Sequence, residues 1–157
     1  MKAATLKEIK DELSECSREQ LLDYCLRLSR FKKENKELLT YLLFESENEA
    51  GYIESVKNEI EEEFKHINKA SVYYIKKSVR KILRYTKKYI RYSKKKETEV
   101  ELLIYYCTEL LKIKPSIREN KALNNLYLRQ IELIKKALSA LHEDLQYDFE
   151  EKLEKLT

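Results

Sequence analysis

The chain has 157 residues, of which 38% are charged and 43% hydrophobic, with a mean hydropathy of −0.66 and a net charge of +4. That is long enough for one sizeable core and too apolar for a disordered chain. One Gly and one Pro exclude the many turns of a β domain and effectively exclude glycine-rich phosphate-cradling loops.

Capping-box patterns, S/T-x-x-E/Q, mark helix starts at places where apolar periodicity asks for one. Thr5 to Glu8 opens a first helix with Leu6, Ile9 and Leu13 on its face. Ser17 to Gln20 opens a second, with Leu21, Leu22, Cys25, Leu28 and Phe31 expected to face inward. Lys32 to Asn35 turns into a third, whose run LLTYLLF at 38–44 is apolar nearly all round and is expected at the centre of the core. Ser46 to Glu49 is expected to open the fourth, with Ile53, Val56, Ile60, Phe64 and Ile67 at spacings of three and four and Gly51 in its first turn. Asn68 to Ser71 leads into a fifth. Thr98 to Glu101 is read as the start of a sixth, ended by Lys114-Pro115. Ser116 to Glu119 is read as the start of a seventh, whose apolar positions continue from Leu123 to Leu156. Unbroken, it would run about 60 Å, so it bends near His142–Asp144, projects, or packs on a second chain.

Charge is segregated along this order. Residues 45–65 carry eight acids against Lys57 and Lys65, whereas residues 66–96 carry twelve Lys or Arg and no acid. Residues 143–154 are acidic again. An acidic fourth helix joined by a short turn to a basic fifth predicts an antiparallel hairpin in which Glu54, Glu61 and Glu62 neutralise part of the basic charge.

The fifth helix, VYYIKKSVRKILRYTKKYIRYSKKK at 72–96, holds the functional content. At 100° per residue, Val72, Ile75, Val79, Ile82, Leu83, Thr86, Tyr89 and Ile90 fall on one side. Lys77, Arg80, Lys81, Arg84, Lys87, Lys88, Arg91 and Lys95 fall opposite. Tyr74, Tyr85 and Tyr92 line a border and Tyr73 lies within the basic face. Such a face is either a solvated surface, partly neutralised within the chain, or a track for a phosphate backbone with ring faces for unpaired bases.

Signals for chemistry are sparse. Glu63 and His66 form one E-x-x-H, but His142, the other histidine, has Ser139 at the matching position, so the paired motif of a di-iron bundle is missing. His142, Glu143, Asp144, Asp148 and Glu151 form an acidic patch without a fixed ligand set. Cys16, Cys25 and Cys107 have no C-x-x-C partner and read as reduced thiols. No catalytic, cofactor or metal residues are assigned, and an enzyme is not expected. The amphipathic start, MKAATLKEIKDEL, has no apolar signal core, and no run reaches the roughly 18 apolar residues of a membrane span, so a cytoplasmic location is expected.

The phrases RLSRFKKENKELLTYLLFE (27–45), KKYIRYSKKKETEVELL (87–103) and ALHEDLQYD (140–148) resemble a small family of uncharacterised all-helical bacterial proteins. That resemblance implies a helical fold and no activity. RFKKENKELLTY at 30–41 and RYSKKKETEVELLIY at 91–105 share an order, a faint repeat that makes a short α-solenoid the alternative architecture. The main expectation is a single-domain, all-α antiparallel bundle of six or seven helices over residues 1–157. Its expected role is a non-catalytic interaction protein, binding another protein or a second copy through 116–156. Non-specific RNA or DNA binding is the alternative, and a membrane partner ranks last.

Overall fold

The computed structural model describes residues 1–157. It is all-α, with eight helices: α1 (Leu6–Ser14), α2 (Arg18–Phe31), α3 (Lys33–Thr40), α4 (Glu49–Lys65), α5 (Val72–Ser93), α6 (Lys96–Leu111), α7 (Lys121–Leu138) and α8 (Glu143–Glu154). A π-helical turn, Tyr41–Glu45, follows α3, and a 3-10 turn, Ile117–Glu119, precedes α7. The helices gather into two compact units, Met1–Phe44 and Glu45–Thr157.

In the first unit, both anticipated capping boxes form: Thr5 with Glu8, and Ser17 with Gln20. α2 lies against α3, and the Asn35 amide donates to the Leu28 carbonyl at 2.9 Å across their junction. The run at 38–44 does not form the centre of a core. Leu42, Leu43 and Phe44 are 54%, 64% and 74% exposed, and Tyr41 alone is buried. The α-helical bonds give way to a π turn after Thr40.

The centre belongs instead to α6 in the second unit, which packs on α4, α5, α7 and α8. Its segment VELLIYYCTELL is apolar on most sides, the pattern of an enclosed helix, and Val100, Leu102, Leu103, Tyr106, Cys107 and Leu110 are essentially inaccessible. One helix bearing on four others makes this unit a compact helical domain.

α4 and α5 form the antiparallel hairpin, and α6 returns alongside both. Tyr106 Oη donates to the Val79 carbonyl at 3.1 Å, which satisfies a buried hydroxyl, and the Phe64 and Tyr106 rings lie 5.5 Å apart.

Three helix starts differ from expectation. α4 is capped by Asn48, not Ser46: the Asn48 side chain accepts from the Gly51 N–H. A Cβ at Gly51 would approach Asn48 Nδ2 to 2.5 Å, so glycine leaves room for the cap. α6 begins at Lys96, which puts Thr98 inside the helix. There its fully buried hydroxyl donates to Glu49 at 2.6 Å. Ser116 opens only the 3-10 turn, and Asn120 caps α7 by accepting from the N–H groups of Ala122 and Leu123.

The long seventh pattern breaks at 139–142. His142 caps α8, accepting from the Asp144 N–H, and this break supplies the eighth helix. Phe149, Leu153 and Leu156 are then buried within the unit, as are Leu123, Tyr127, Ile131 and Ile134. Tyr127 Oη donates to the Leu156 carbonyl and ties the return. The apolar stripe of 116–156 is therefore covered by the chain's own helices.

Candidate functional site: the cationic side of α5

α5 holds its orientation through Ile75, Val79, Ile82, Thr86 and Ile90, all buried. Ser71 caps its start, accepting from the Tyr74 N–H. Its end is made by Lys94 in the left-handed region at φ 59°.

The predicted basic face splits into two arcs. The arc that meets α4 is neutralised. Lys81 Nζ lies 3.0 Å from Glu63, and that contact holds the ammonium above its ordinary pKa. Tyr89 Oη donates to Glu59 at 2.6 Å, and Lys95 Nζ lies 3.0 Å from Glu49. The acids that face α5 are thus Glu49, Glu59 and Glu63. Glu54 pairs with Lys57, and Glu61 and Glu62 pair with Lys65, all on α4 itself. Lys57 also reaches Glu101 on α6 at 2.7 Å. Burial works against its charge, but Glu101 and Glu54 outweigh it and the pKa rises.

The tyrosines are less open than the helical wheel suggests. Tyr92 is buried and Tyr85 is 39% exposed. Lys81 and Lys88 sit 5.3 and 5.2 Å from the Tyr85 ring centroid, and Lys88 sits 4.9 Å from that of Tyr89. These contacts occupy ring faces that a base would need. Tyr73 and Tyr74 form an edge-to-face pair at 5.3 Å and are 65% and 43% exposed.

The second arc is open. Lys77, Arg80, Arg84 and Arg91 are exposed and make no ion pair. Lys77, Arg80 and Arg84 follow one another at single helical turns, about 5.4 Å apart, and Arg91 lies two turns further on. Beside them, α5 and α7 enclose a groove of about 790 Å³, lined by Arg80, Leu83, Lys87, Leu126, Arg129, Gln130, Glu132, Leu133 and Lys136, among others. Leu83, Leu126 and Leu133 are half-buried and give it an apolar floor. Arg80 and Lys87 stand on one rim, Arg129 and Lys136 on the other, with Glu132 the one acid in the lining. Partial burial lowers the Lys87 pKa, with Glu99 pulling it back. Gln130 is 3% exposed; its Nε2 donates to the Leu126 carbonyl at 2.9 Å, and its Oε1 is buried without a donor.

The α7 half of this groove is absent from the predicted site. Its signal lay in the sequence: Leu126 and Leu133 border the main apolar stripe of α7 at seven-residue spacing, and Arg129 and Lys136 repeat the same interval one step beyond.

The other chemical candidates are dispersed. Glu63 is engaged with Lys81, while the His66 ring bonds the Glu62 carbonyl at 2.8 Å. Cys107 is buried, and burial pushes its thiol up to about 12, the opposite of what an activated nucleophile needs. No three His, Cys, Asp or Glu side chains gather as a metal site. No helix is long and apolar enough to cross a membrane.

The fold and site together define an all-α protein with a cation-rimmed, apolar-floored groove. A scan of protein-family models and searches of curated proteins and of solved structures give no match to the chain.

Proposed function

We propose that the protein is a non-catalytic interaction protein that holds an acidic amphipathic helix of another protein in the groove between α5 and α7. The carrying observation is the pairing of apolar floor with cationic rims: Leu83, Leu126 and Leu133 below, Arg80, Lys87, Arg129 and Lys136 above. A helix seated in a groove is read through apolar anchors at turn spacing, with charges along the rim setting orientation and partner choice. A phosphate backbone has no use for an apolar floor.

The exposed row Lys77, Arg80, Arg84 and Arg91 favours a second reading, non-specific binding of RNA or DNA. Fluorescence anisotropy separates the two, using a labelled acidic amphipathic peptide, labelled single-stranded RNA and labelled duplex DNA across a salt series. Groove binding predicts saturable peptide binding that persists in part at high salt and is lost in Leu126→Glu. Binding of RNA alone, with a log–log salt slope of about −3 for four phosphate contacts and loss on changing Lys77, Arg84 and Arg91 to Glu, would replace the first reading with the second. No binding of any probe would refute both.

A further inference from the structure

The first unit has an unusual surface. None of α1, α2 and α3 contains a buried residue, yet all three are amphipathic. Leu6, Ile9 and Leu13 line one side of α1 and are 85%, 43% and 39% exposed. Close helix packing in the unit is confined to α2 against α3. A nine-residue helix standing alone falls below the ~12–15 residues at which even good helix formers become marginally stable in water. Its capping box satisfies two of its backbone N–H groups but adds no packing.

α2 is apolar on two sides. Leu21, Cys25 and Leu28 share one, and Leu22 and Leu26 another. Leu22, Leu28 and Phe31 are 60%, 59% and 84% exposed. Taken together, the exposed apolar side chains of α1 and α2 open surface on the order of 1,000 Å² at ~150–200 Å² per fully exposed large side chain, and a stable dimer buries ~800 Å² per partner.

Charge narrows the occupant. Met1–Phe44 carries nine Lys or Arg and eight Asp or Glu, mixed along the helices. A near-neutral surface does not repel its own copy, and it lacks the one-sided basic face that an anionic membrane selects. A second chain also supplies both halves of what is missing, an uncovered α1 and an uncovered side of α2.

We propose that Met1–Phe44 is a homodimerisation element in which α1 and α2 pack against the same two helices of a second copy about a two-fold axis, an isologous interface. The proposal is independent of the groove reading, whose residues all lie in 45–157.

The experiment is sedimentation velocity of the full chain from about 1 to 200 μM, with a Leu22→Glu/Phe31→Glu variant alongside. The expected result is the mass of two chains for the wild type and of one chain for the variant, with the α5–α7 groove binding its probe equally in both. A wild type that stays monomeric at the highest concentration overturns the proposal. So does a dimer that survives both substitutions, since the contact would then lie elsewhere. Should that variant lose its helical circular dichroism, the milder pair Leu6→Ser and Phe31→Ser is read in the same way, with at least a tenfold weaker dimer expected.

Discussion

Glu49 offers the sharpest test of the packing. One carboxylate oxygen accepts from the hydroxyls of Ser93 and Thr98, the latter at 2.6 Å, and the other lies 3.0 Å from Lys95 Nζ. It thereby joins the start of α4 to the junction of α5 and α6. A hydrogen bond to a charged group contributes about 1.5–3 kcal/mol, and a buried hydroxyl left unpaired costs about 1–3 kcal/mol. Ser93 and Thr98 can still bond each other at 3.2 Å, which offsets part of the loss. The Lys95 contact, with the lysine side chain 49% exposed, adds at most a few tenths. Glu49→Ala should therefore destabilise the protein by about 2–4 kcal/mol, and Glu49→Gln by roughly half as much. Urea unfolding followed by circular dichroism measures both. A double-mutant cycle with Thr98→Val should return a coupling of about 1–2 kcal/mol. A Glu49→Ala variant within ~0.5 kcal/mol of wild type (~half of a typical single-site effect), or a coupling of zero, would refute the reasoning.

Four further outcomes follow from the same geometry. Lys94→Gly should stabilise by about 1 kcal/mol, because Lys94 sits at φ 59°, where a side chain costs roughly that much and glycine does not; an unchanged urea midpoint would count against it. Gln130→Met should raise stability by about 1 kcal/mol by removing the unpaired Oε1, read as a higher urea midpoint. Burial lifts the Cys107 thiol from 9.0 to about 12 and holds the Tyr106 hydroxyl well above 10.0. Between pH 9 and 12 the unfolded thiol loses a proton that the folded one keeps. Its contribution is complete below pH 9 and is lost as pH rises across that window, at about 1.4 kcal/mol per unit for one proton, with Tyr106 adding to the slope above pH 10. Urea midpoints taken from pH 8 to 11 should show the decline, and Cys107→Ala should make its first part shallower. Arg84→Glu should change stability by less than about 0.5 kcal/mol, since Arg84 is exposed and its side chain has no carboxylate partner; a larger loss in the same urea assay would mean that the face is covered.

Fold class was legible from one Gly, one Pro and the 3.6-residue periodicity, and two of the capping boxes appear as written. The failures share a cause. Thr98 matched a cap pattern, yet its hydroxyl is satisfied by Glu49, 49 residues earlier, a partner that no local pattern contains. The apolar run at 38–44 has a core composition, but composition does not reveal a change from α to π geometry. Tyr92 lay at the border on an ideal wheel, yet it is buried and stacks edge-on against Tyr89. The open arc of α5 was visible because it depends on one helix. The groove was not, because it needs two helices with the whole of α6 between them in the chain.

The position of α6 also sets how the second unit comes apart. A helix that bears on α4, α5, α7 and α8 cannot loosen by fraying at an edge, since freeing it breaks four interfaces together. Its amides should exchange hydrogen only through full opening of the unit, while those of α1 in a monomeric chain exchange through local fluctuations. Protein turnover would then begin at the chain's first helices and leave the second unit standing until a single all-or-none event.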